Sequence, residues 1–130
     1  MSSEAFTDLL EQARLASNEV CDKATLILRR TLPDIHALQQ EGSIFSPRLM
    51  GLMCSRAEGK LPESDHQLLG SALRYAEEEQ LTRMGWVLAL RKGDAALDIP
   101  GAYQECGEAV GVLRRMSAEL DGVLERVRGS

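Results

Sequence analysis

Between Tyr103 and Val127 the chain carries a seam that leaves little choice of structure. Tyr103, Cys106, Val110, Leu113, Ser117, Leu120, Leu124 and Val127 follow alternating steps of three and four without a slip. With 3.6 residues to a turn, that spacing keeps all of these side chains on one helix face. A strand has period two and would divide them between both faces of a sheet. Only Ser117 interrupts the apolar character. A seam of more than three heptads is the pattern of a long helix laid against other helices.

Such a helix needs partners for its stripe, and the rest of the chain offers them. Apolar residues make up 44% of the sequence but aromatic residues only 4%, which suits closely packed helices better than a sheet. Phe6, Leu9, Ala13, Ala16, Val20, Ala24 and Ile27 predict a first helix over about Ser3–Arg30. Pro33 lacks an amide donor and predicts a break, followed by about two turns in "PDIHALQQ" up to Gly42. Ser46 as N-cap, Pro47 as first helical residue and Gly59 as terminator predict a short helix.

The next long helix is expected to open with a capping box, Ser64 and Gln67, and to close at Gly93 after Arg91 and Lys92. Leu69, Leu73, Ala76, Met84, Val87 and Leu88 read as its buried stripe, with "EEEQ", Glu77 to Gln80, as a solvated turn. The last helix starts near Asp98–Ile99, just before Pro100. The expected fold is all-α: an antiparallel helical bundle of three long helices plus one or two short ones. Residues 1–130 are expected to form it as one domain.

Chemistry is harder to place on this chain. His36 and His66 lie outside any recognisable catalytic motif, and His66 reads as a solvated first-turn residue. Cys21, Cys54 and Cys106 are odd in number and far apart, and they fall on the predicted core faces, so packing is their expected role. Glu77, Glu78 and Glu79 point about 100° apart and cannot converge on one ion. Phosphate-binding glycine loops, HExxH and GxSxG patterns are absent. The expectation is therefore no catalytic residue, no metal, no cofactor and no small-molecule substrate.

Partners are the more productive question. A formal net charge of −5, with scattered basic pairs, argues against nucleic acid. No apolar run approaches the roughly 20 residues of a membrane span, and no secretory signal is visible, so a cytoplasmic protein is expected. Leu49, Met50, Leu52 and Met53 crowd a helix too short to bury all four, and methionine is frequent on adaptable binding surfaces. Gly107 and Gly111, four apart on the flank of the seam, would let another helix approach closely, from this chain or a second. On that reading alanine at both positions would cost stability.

The reading that follows is a non-catalytic protein-binding module: a small adaptor, chaperone or inhibitor working through helix faces, or self-associating. These six residues are its candidate contacts. The alternative is a helical DNA-binding regulator using the short helix around residues 47–58, with Arg48 and Arg56. An enzyme with an unrecognised site ranks behind both.

Overall fold

Helix punctuation along the chain explains most of the architecture. The computed structural model describes residues 3–40 and 45–129. Its regular elements are α1 (Ser3–Thr31), a 3-10 turn (His36–Gln39), α2 (Pro47–Arg56), α3 (Glu63–Lys92) and α4 (Ile99–Gly129). The described residues form no strand.

α1 ends where the sequence forbids it to continue. The Leu32 amide still donates to Leu28 O at 2.8 Å, but Pro33 has no amide to offer next. Only one short 3-10 turn follows, not the two turns expected, and Gly42 lies outside the described residues. Arg29 clasps this turn by donating to the carbonyls of Leu38 and Gln40, so the chain folds back along α1 instead of extending.

α2 starts as expected: Ser46 Oγ accepts from the Leu49 amide at 3.2 Å, and Pro47 leads. α3 does not. Its N-cap is Pro62, whose extended backbone starts the helix at Glu63, so Ser64 is already inside and caps nothing. The capping box gives way to a weaker bond from Gln67 Nε2 to Glu63 Oε1 at 3.4 Å. Gly93 closes α3 in the left-handed region, φ 65°, and the Asp94 amide reaches back to Ala89 O at 3.0 Å. Asp98 then caps α4, its Oδ1 accepting from the Gly101 amide at 3.2 Å.

The three long helices run up, down and up. Cys106 lies against Leu9 while Lys23 reaches Ser117 O and Asp121, so α1 and α4 are parallel neighbours, and theirs is the most extensive contact in the fold. α3 runs opposite to both: Trp86 meets the Phe6 ring at one end, and Asp65 pairs with Arg126 at the other.

Two apolar clusters fill the interior. The larger joins Val20, Ile27, Leu28, Met50, Leu69, Leu73, Leu113, Leu120 and their neighbours at the end that holds α2. The smaller, at the far end, is built on Phe6, Leu10, Ala13, Ala102, Cys106 and Val110. Between Ala76 and Trp86 the inward-turned positions of α3 are Glu79 and Arg83, paired at 2.8 Å with side chains only 3% and 12% exposed. Within "EEEQ" Glu78 is exposed and Glu77 and Gln80 are half-buried, but Glu79 is not solvated. Glu79 turns inward because it follows Leu69, Ala72 and Ala76 on the core face, and Arg83 one turn on supplies its counter-charge.

Candidate protein-binding surface

α2 is amphipathic along its whole length, and its two faces have different work. Met50 and Cys54 are buried, with Met50 completely enclosed near Thr25 of α1. Met53 is half-buried and packs on the same cluster. Met50 is thus core, which corrects its assignment to the surface: a helix held on both α1 and α3 turns one position per turn fully inward. Leu49, 40% exposed, and Leu52, 63% exposed, remain outside.

α3 seats α2 closely. Pro47, Arg48, Gly51 and Leu52 face Glu77, Arg74, Leu73 and Gly70 across a shared groove. The His66 ring nitrogen Nε2 lies 2.8 Å from Cys54 O, so this histidine is half-buried and tethers the carbonyl end of α2. It is not the solvated residue its position implied. Gly70 leaves the space beside Cys54 Sγ, 3.9 Å from where its own Cβ would be.

Beyond Glu77 that seat is empty of α2 but keeps its apolar character. Leu81, Met84 and Leu88 follow Glu77 at i+4, i+7 and i+11, on the line of α3 that α2 covers lower down. They are 63%, 53% and 49% exposed. Met84 and Leu88 were expected in the buried stripe. The core line of α3 passes instead through Glu79, Arg83 and the half-buried Trp86 and Leu90, which leaves the neighbouring line outside. From residue 80 to residue 92 not one position of α3 is buried. A groove beside this stripe, lined by Leu10, Glu11 and Arg14 of α1 and by Arg83, Val87 and Leu90 of α3, completes the surface.

Gly107 and Gly111 do not mark a close crossing. A Cβ at Gly107 would stand 3.9 Å from the Leu9 side chain, an ordinary contact, and at Gly111 it would meet nothing within 4 Å. Both are exposed on α4. No described helix crowds them, so the expected loss on adding methyl groups has no basis among the described residues.

The titratable groups have structural surroundings. Burial pushes the thiols of Cys21 and Cys106 up to about 11, and moves Cys54 in the same direction. Such thiols are protonated at neutral pH and poor nucleophiles. All three are free cysteines. His36 is exposed on the 3-10 turn. No helix among the described residues is long and apolar enough to cross a membrane.

Compared with protein families, with curated proteins and with solved structures, the chain finds no match.

Proposed function

We propose that the chain is a non-catalytic protein-binding module, adaptor-, chaperone- or inhibitor-like, that receives a helix of its partner along α3 beyond the first residue of α2, Pro47. The observation that carries this reading is the line Leu81, Met84, Leu88: three large apolar side chains, each about half exposed or more, in register with a face already used to seat a helix. Single exposed leucines are ordinary, whereas an aligned apolar stripe beside a groove is characteristic of interaction sites. A helix laid into such a groove is held by anchors at this spacing. Leu49 and Leu52 on α2 are exposed as well. Protonated, largely buried thiols support a binding role over a nucleophilic one, and free cysteines fit a reducing cytoplasmic setting.

The test is retention on immobilised protein from a lysate of the cells that make it. Native protein and a Leu15→Glu control, altered at a different exposed leucine, should retain the same partner, while Leu81→Glu with Leu88→Glu should lose it. Equal retention by the stripe variant would remove this surface from the function.

A further inference from the structure

Resting on that reading, we propose that the occupant of the α3 stripe is α3 of a second copy of this chain, packed antiparallel about a two-fold axis between Met84 and Gly85. The face itself specifies this partner. It begins with two acids, Glu77 and Glu78, continues through Leu81, Met84, Gly85 and Leu88, and ends with two bases, Arg91 and Lys92. Multiples of 100° per residue put all eight on one side of the helix, spread over less than half of its circumference. Antiparallel pairing about that axis sets Leu81 against Leu88 of the second copy and Met84 against its Gly85. It sets Glu77 opposite Lys92 and Glu78 opposite Arg91, twice over by symmetry. No ion pair joins any of these four charges to another described residue.

A two-fold interface uses the same patch on both subunits, so the patch must complement itself under reversal. A face acidic at one end, apolar in the middle and basic at the other end meets that condition. An unrelated acidic or basic helix would match one end and be repelled at the other. Gly85, at the axis, is exposed with nothing within 4 Å of the position of an added Cβ, which leaves room for the opposing Met84.

The flanking elements permit the approach. In this register residues 77–92 of the second copy lie along residues 77–92 of α3, which α2 leaves uncovered except at Glu77, level with the start of α2. The second copy's own α2, which packs alongside residues 66–77, falls beyond Lys92, where Gly93 has already turned the chain aside.

Light scattering and sedimentation over a wide concentration range test the proposal. Native protein should double its mass reversibly, and Leu81→Glu with Leu88→Glu should weaken association by more than about tenfold while the monomer keeps its helical circular dichroism. Charge reversal reads the register. A chain carrying Glu77→Lys and Glu78→Lys, and another carrying Arg91→Glu and Lys92→Glu, should each be monomeric alone and should dimerise when mixed. Failure of the mixed chains to pair, or self-association of either alone at native strength, would overturn the register. A native chain that stays monomeric overturns the proposal. If it still retains a lysate protein through Leu81 and Leu88, the binding-module reading stands without it. If it retains none, both fall.

Discussion

The two ends of the bundle use the same three long helices, yet they are built to different standards. At one end α2 adds a fourth helix, and residues 63–79 of α3 bury Leu69, Ala72, Leu73 and Ala76 with Asp65 and Glu79. At the other end α2 is missing, and the continuation of the same helix buries nothing outright. The far end depends on Phe6, held edge-to-face on Trp86 with ring centroids 5.8 Å apart, and on small residues between α1 and α4. The difference teaches that helix length and core length are separate quantities. α3 is long enough to be half of a four-helix layer throughout, but only part of it has a fourth helix to meet.

That contrast can be broken or sharpened by substitution. The largest effect is expected at fully enclosed side chains of both clusters: Leu120→Ala at the α2 end should cost about 2–5 kcal/mol, and Phe6→Ala at the far end about 3–5. Denaturant midpoints read both. A Phe6→Ala variant that barely moves would mean that the far end contributes little to global stability.

Arg126→Ala comes next, because it strands the Asp65 carboxylate, only 5% exposed, without its partner at 2.6 Å. A loss of stability is expected in the same unfolding experiment, limited because the Arg126 side chain is itself more than half exposed. The Cys106 thiol, raised from 9.0 to about 11, should alkylate about a hundredfold more slowly than a free thiol at neutral pH. Its folded pKa lies above the unfolded one, so its contribution to stability is complete below about pH 9 and lost as pH rises toward 11. Cys21 shares the shift, and a midpoint that stays level across that window would count against raised thiols at both positions.

Smaller and opposite in sign, Gly107→Ala and Gly111→Ala should each stabilise the protein by up to about 1 kcal/mol, since neither methyl meets a crowded neighbour. Thermal melts decide it, and a lower melting temperature would reveal a close contact there. Leu88→Ala, 49% exposed, should change monomer stability by no more than about 0.5 kcal/mol. Unfolding measured at high dilution provides that comparison with Leu120.

The helices were legible in the sequence because their punctuation is local. Pro33, the Ser46–Pro47 pair and Gly93 act on their own backbone, whatever the tertiary fold. The start of α3 was misread because Pro62 competes with Ser64 for the cap, and ring geometry prevails over a side-chain hydrogen bond that is never made. Glu79 was hidden among its acidic neighbours, although Arg83 one turn later was a readable signal of an internal pair.

The candidate surface was the least legible part. Met50 and Leu52 look alike in a string, and only the direction from which α1 and α3 approach α2 makes one core and the other surface. Similarly, Leu73 and Leu88 are equally apolar, but where α2 ends is a tertiary fact. Periodicity reports which residues share a face, and not whether another element reaches that face.

The pairing of α1 with α4 has a consequence in time. These helices make the broadest contact in the molecule, and Leu9 and Cys106, which touch, lie 97 positions apart. A ribosome adding about 5–20 residues per second needs roughly 5–20 s to cover that separation. Throughout that interval the apolar face of α1 has been synthesised while its main partner has not. Until the last helix emerges, α1 has only its smaller native contacts, those with α2 and α3, to cover that face.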